Sequence, residues 1–255
     1  MFQKAGNIYK ANKQSTAAGN AYREAARVFK KLTWNHEAAT TLVDAGNLMK
    51  DSDSLGAVEC YREASGLFME LGRFMVAAKH LQTIAEIYEA RGGDSDTEKA
   101  VEEYEKAADF FKGENQRSAA NKCFLKVAML SSNLGNYEKG AQIFEDLGNY
   151  SAENQLLKYS AKDYYFKAVI CHFALMGAER ASEAMARYIE HFPSFEGTRE
   201  QKVLLKLFEA FDEGDEDKFV ASLGEYDSVS RLDEWLTKHF LVVKKKINAA
   251  NVEIN

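Results

Sequence analysis

Residues 57–74 read Ala57-Val58-Glu59-Cys60-Tyr61-Arg62-Glu63-Ala64-Ser65-Gly66-Leu67-Phe68-Met69-Glu70-Leu71-Gly72-Arg73-Phe74. Ala57, Tyr61, Ala64 and Phe68 fall at spacings of four, three and four, the stripe that one face of an α-helix makes. The same template of small residue, aromatic or apolar residue, small residue, aromatic recurs along the chain. It is seen at Ala18-Tyr22-Ala25-Phe29, Ala38-Leu42-Ala45-Met49, Ala77-Leu81-Ile84-Tyr88 and Ala100-Tyr104-Ala107-Phe111. Looser copies begin at Ala120, Gly140, Ala161 and Ala181, so successive starts lie 19 to 23 residues apart. Each step is one helix of roughly 14 residues and a short connection, and two steps make a helical hairpin of about 40 residues, of the tetratricopeptide kind. Small residues let a neighbouring helix approach, and the aromatics fill the adjoining groove.

The fold class predicted is all-α: an α-solenoid of antiparallel helix hairpins, a tetratricopeptide-like twisted sheet. Tight turns recur at Leu71-Gly72-Arg73-Phe74, Leu134-Gly135-Asn136-Tyr137 and Leu147-Gly148-Asn149-Tyr150. Each is expected to end a helix with its glycine in the left-handed conformation. The Gly92-Gly93-Asp94-Ser95-Asp96 loop absorbs the longest step. Past Pro193 the template stops. Helices are predicted over 199–211, 218–226 and 231–247, the last amphipathic through Leu232, Trp235, Leu236, His239, Phe240 and Val243. The chain therefore divides into residues 1–192, the repeat, and 193–255, a C-terminal helical bundle that caps it.

Composition narrows the function. One proline in 255 residues leaves almost nothing to break long helices. No run approaches the ~18 apolar residues that span a bilayer, and the N-terminus lacks the apolar core of a signal peptide. Cys60, Cys123 and Cys171 are odd in number and far apart, which fits reduced core thiols. A net charge of −6 argues against nucleic acid as a partner. The expectation is a soluble, intracellular protein. Because Phe2-Ala5-Tyr9 matches the last three template positions, the chain is expected to begin inside a helix, through loss of an upstream segment or a natural shortening.

No catalytic constellation emerges. Neither G-x-G-x-x-G nor a P-loop occurs. The five histidines are isolated, and no cysteine pair has zinc spacing. Cys171 and His172 are neighbours in sequence, but adjacent helical residues point apart. Asp51-Ser52-Asp53-Ser54 opens like a calcium loop, yet Leu55 and Arg62 stand where oxygen ligands are needed, so a helix start is the better reading. No cofactor, metal or small-molecule substrate is expected, and no enzyme.

A solenoid offers surface instead. Lys79, Lys122, Lys162 and Arg199 are separated by 43, 40 and 37 residues, one cation per hairpin. They read either as a basic stripe for an elongated acidic partner or as ordinary solvated charge.

The blocks Val43-Asp44-Ala45-Gly46-Asn47, Gly72-Arg73-Phe74, Ala77-Ala78-Lys79-His80 and Leu156-Leu157-Lys158-Tyr159-Ser160-Ala161-Lys162-Asp163-Tyr164 are among those that carry a resemblance. Together with Glu225-Tyr226-Asp227-Ser228 they resemble the SNAP family, soluble attachment proteins of the NSF ATPase, of the alpha/beta type. The resemblance runs in order along essentially the whole chain. It implies a cytoplasmic adaptor, peripheral on membranes, that coats an assembled SNARE four-helix bundle and recruits and stimulates NSF for disassembly in vesicle trafficking and membrane fusion. It implies SNARE-facing cations at Arg73, Lys79, Lys122, Lys162 and Arg199. It implies an NSF-facing acidic surface including Glu209, Asp212 and Glu213, and a tail in which Glu253 precedes an aliphatic penultimate residue, Ile254. The family's membrane-touching loop would lie upstream of residue 1, weakening membrane contact. The competing reading is a tetratricopeptide-like scaffold gripping a short acidic peptide tail, such as that of a chaperone.

Overall fold

A helix ends cleanly when its last orphan carbonyls find donors, and among the described residues this chain solves that problem the same way six times. Lys13, Thr33, Gly72, Asn115, Gly135 and Gly214 take φ of 57°, 62°, 70°, 57°, 85° and 68°. The N–H of the following residue then reaches back five residues: Gln14 to the Tyr9 carbonyl, Trp34 to Phe29, Arg73 to Phe68, Gln116 to Phe111, Asn136 to Ser131 and Asp215 to Ala210, at 2.8–2.9 Å. This is the Schellman closure, and its apolar contact is present where Trp34 stacks on Phe29 at 5.8 Å.

The computed structural model describes the backbone of residues 1–253 and side chains through Ile247. The expected tail contacts Glu253 and Ile254 lie outside the described side chains. Among the described residues all regular structure is helical. The chain forms two compact units, Met1–Lys126 and Val127–Asn255. The first holds α1 (Phe2–Ala11), α2 (Ser15–Lys31), α3 (Asn35–Met49), α4 (Ser54–Glu70), α5 (Phe74–Arg91), α6 (Asp94–Gly113) and most of α7 (Arg117–Asn133). The second holds the end of α7, then α8 (Tyr137–Glu153), α9 (Lys158–Met176), α10 (Ala178–His191), a 3-10 turn (Pro193–Phe195), α11 (Arg199–Asp212), α12 (Glu216–Val229) and α13 (Glu234–Glu253). Consecutive helices pack on one another from α1 to α6 in the first unit and from α8 to α13 in the second. The units divide within α7, whereas the sequence pattern changes at Pro193.

In the first unit Ala26, Ala38, Leu42, Ala64, Phe68 and Ala77 form one buried cluster drawn from α2, α3, α4 and α5. The template tyrosines are locked by a recurring pair on the preceding helix. Gly46 lies under the Tyr61 ring, where a Cβ would come within 2.9 Å of Cζ. The next residue, Asn47, accepts from the Tyr61 hydroxyl at 2.7 Å. Gly6-Asn7 does the same for Tyr22. In the second unit Gly148 sits beneath Tyr165, and Asn149 accepts from its hydroxyl at 2.8 Å. Between α5 and α6, Glu89 takes the acceptor role for Tyr104 at 2.7 Å. The clamp admits an aromatic ring into the core and satisfies its hydroxyl there.

This corrects the expected turn at Leu147-Gly148. The same tetrapeptide, Leu-Gly-Asn-Tyr, closes α7 at 134–137 but lies inside α8 at 147–150. At 134 the template has already run out. At 147 the leucine is the third template residue, and the glycine faces a ring of the next helix.

In the second unit α9 is enclosed: Val169, Ile170, Cys171 and Phe173 are fully buried. A helix apolar all round belongs at a centre; α8, α10, α11 and α13 all pack on it. The Phe173 ring meets Phe208 and Phe211 edge-on at 5.0 and 5.1 Å. Trp235 of α13 stacks on His239 at 3.9 Å and meets Phe144 of α8 at 5.5 Å.

Candidate partner-binding surface

Helices one hairpin apart are tied by ion pairs at the repeat's own spacing. On the even helices of the first unit, Arg23 pairs with Glu59 at 2.8 Å, Lys30 with Glu63 at 2.6 Å and Arg62 with Glu103 at 2.8 Å. These join α2 to α4 and α4 to α6, so many cations there already have partners within the fold. On the odd helices Lys126 of α7 reaches Glu89 of α5 at 2.7 Å. Lys79 on α5 and Lys122 on α7 hold the same template position, two after the small residue. Both are exposed, and neither has an ion pair among the described residues. Arg73, the residue before α5, is exposed and likewise without one. Arg73, Lys79 and Lys122 are thus available on and beside α5 and α7.

The second unit differs. Lys162 on α9 is half-buried and donates to Glu200 of α11 at 3.0 Å, with Asp163 at 4.0 Å. Glu200 is buried, so this cation works first as its counter-ion. Arg199, the residue before Glu200, is exposed with no ion pair among the described residues. Burial raises the Asp163 carboxyl above its ordinary range, Lys162 opposing and Glu200 adding to the effect.

The expected acidic surface sits at the end of α11. Lys218 clasps two of its members, Glu209 at 3.1 Å and Glu213 at 2.7 Å. Asp212 is exposed and carries no ion pair among the described residues. Residue spacing alone did not reveal these internal partners.

One feature escaped the sequence reading. Leu156 and Tyr159, at the α8–α9 connection, are 90% and 77% exposed. The connector is held by Asn154, whose side chain accepts from the Leu156 N–H at 3.0 Å. Two large apolar groups beside Lys158 and Lys162 suit a contact with another molecule. The available signal was an apolar pair lying outside the repeat template.

Elsewhere the chemistry is structural. Burial pushes the Cys60 and Cys123 thiols up to about 11 and Cys171 up to about 12, leaving them as core residues. Cys171 lies 3.4 Å from the Ser132 hydroxyl, while His172 turns to Glu145 at 3.0 Å. Asp53 caps α4 by accepting from the Gly56 N–H at 3.0 Å, as expected of a helix start.

Stacked helical hairpins with available cations on one set of helices define a helical-repeat protein of the class that works through extended surface. The family model described as "Soluble NSF attachment protein, SNAP" matches residues 1–248, and the chain belongs to that family. It is 46% identical over 247 residues to the beta-soluble NSF attachment protein of Bos taurus, covering 97% of this chain and 82% of that one. The alpha-soluble NSF attachment protein of Homo sapiens is 45% identical, with 97% and 83% covered. The vesicular-fusion protein SEC17 of Komagataella phaffii is 33% identical over 249 residues, with 97% and 83% covered. Among the described residues no helix is long and apolar enough to cross a membrane.

Proposed function

We propose that this protein is an adaptor, not an enzyme, that binds assembled SNARE four-helix bundles and recruits and stimulates the NSF ATPase for their disassembly. Membership of the SNAP family supports the partners. The observation that carries the SNARE contact is the pair Lys79 and Lys122, exposed, without ion pairs and at one template position on α5 and α7. Arg73 and Arg199 add to this set, and Lys162 contributes with the part of its charge that Glu200 leaves uncompensated. Leu156 and Tyr159 supply apolar contact beside it. Glu209, Asp212 and Glu213 face NSF, with Glu253 and Ile254 of the tail. Residues 1–192 act as the repeat that carries the other SNARE-facing cations, and 193–255 as the bundle that adds Arg199 and faces NSF. The protein works in the cytoplasm and reaches membranes peripherally, through SNARE complexes.

The test is a double reversal, Lys79→Glu with Lys122→Glu. An exposed pair contributes up to about 1 kcal/mol, and reversal adds repulsion of like size. The double variant should therefore lose about 2–4 kcal/mol, roughly 30- to 1,000-fold in affinity for an assembled SNARE bundle. Binding should also weaken with salt. Unchanged affinity would remove both lysines from the mechanism.

A further inference from the structure

Between α11 and α12 the second unit carries an open slot of about 230 Å³, walled by Val203, Tyr226 and Val229 and rimmed by Arg199, Lys202 and Lys206. We infer that this slot is a docking site for a short acidic segment of a partner protein, one apolar side chain inserted and its carboxylates on the rim. Four observations support that occupant.

The volume falls below the roughly 300–1,000 Å³ of small-molecule sites and suits a single anchoring side chain. The walls are apolar, and Val229 stands 62% exposed at the mouth, an aliphatic group with nothing over it. The three cations fall at i, i+3 and i+7 of α11, one edge of the helix over about 10 Å of its axis. Acidic residues at helical spacing on a partner would meet that row in register. Finally, Lys206 shows the match in miniature: it holds Glu225 at 2.5 Å, while Arg199 and Lys202 have no ion pair among the described residues. A carboxylate-bearing ligand thus finds two available donors beside an apolar slot, on a chain whose net charge is −6. Arg199 is shared with the SNARE-facing set; Lys202 and Val229 are not.

A short fluorescein-labelled peptide with one leucine between glutamates at three- and four-residue spacing, titrated with the full chain at low salt, reads the site by anisotropy. Binding is expected with a Kd on the order of micromolar. Lys202→Glu and Val229→Glu, both at exposed positions, should each weaken it about tenfold with the helical circular dichroism unchanged. A probe with serine in place of leucine should weaken equally. No binding by the unaltered chain, or equal binding by Lys202→Glu, would overturn the inference. So would equal binding of the serine probe, which would reduce the slot to diffuse charge attraction. Lys202-dependent binding to phosphatidylserine vesicles without peptide binding would assign the surface to a membrane and overturn it too. None of these outcomes depends on the Lys79 and Lys122 reversal.

Discussion

Lys162 should behave unlike the other cations of its set, and the difference can be worked from its surroundings. Its ammonium lies 3.0 Å from a Glu200 oxygen, and the Glu200 side chain is only 10% exposed. Lys162→Met keeps the aliphatic stem but leaves that carboxylate without its charged partner. A buried acceptor so orphaned costs about 1–3 kcal/mol. For a chain of this size that lowers Tm by roughly 2–12 °C. Lys79→Met and Lys122→Met remove no ion pair and should stay within about 0.5 kcal/mol. The assay is urea and thermal unfolding followed by tryptophan fluorescence in a Trp34→Phe background. Trp235 is buried in the second unit and reports it alone, which avoids forcing one transition on two units. Lys162→Arg should restore most of the loss. If Lys162→Met leaves the Trp235 transition in place, or Lys79→Met lowers stability as much, the division between structural and available cations is wrong.

Two further outcomes concern the interior. Gly148→Ala would set a Cβ 2.6 Å from Cε1 of the buried Tyr165 ring, and should destabilise the second unit by about 1–3 kcal/mol. Gly66→Ala, mid-helix in α4 with nothing within 4 Å, should stabilise by about 0.5–1 kcal/mol, and equal signs in urea unfolding would contradict the clamp. The third concerns pH. Burial alone would raise the Glu145 carboxyl, but hydrogen bonds from His172 and Tyr188 outweigh it and hold the group below its ordinary range. The unfolded chain therefore binds the proton first, so the stability is present above the unfolded pKa and is lost as pH falls through the folded one. Glu145→Gln should flatten the fall in urea midpoint between about pH 5 and 3, and an unaltered slope would exclude the group.

The helices and their cores were legible because the template is redundant. Ala57, Tyr61, Ala64 and Phe68 are all buried, as are their counterparts on α2, α5 and α6, apart from Phe29, which is partly buried. The clamp acceptors were not, since a lone Asn47 or Asn149 among apolar residues resembles a surface position until the facing tyrosine is known. Leu-Gly-Asn-Tyr could not be resolved from the tetrapeptide itself, because its two copies differ in their place in the template and in the ring that the next helix brings to Gly148. The candidate cations were found by spacing, but their state was hidden. Lys162 and Lys79 look alike in sequence, and the Glu200 that separates them lies 38 residues from Lys162. The Lys218 clasp on Glu209 and Glu213 was hidden for the same reason.

The glycine-asparagine seats under Tyr22, Tyr61 and Tyr165 bear on how such a chain can change its length. Adding one residue between a seat and the end of its helix would rotate the seat by about 100° and point it away from its ring. Insertions and deletions should therefore survive only in the linkers, as at Gly92-Gly93 where the longest step already falls. An epitope or fluorophore intended to leave the protein intact should be placed there.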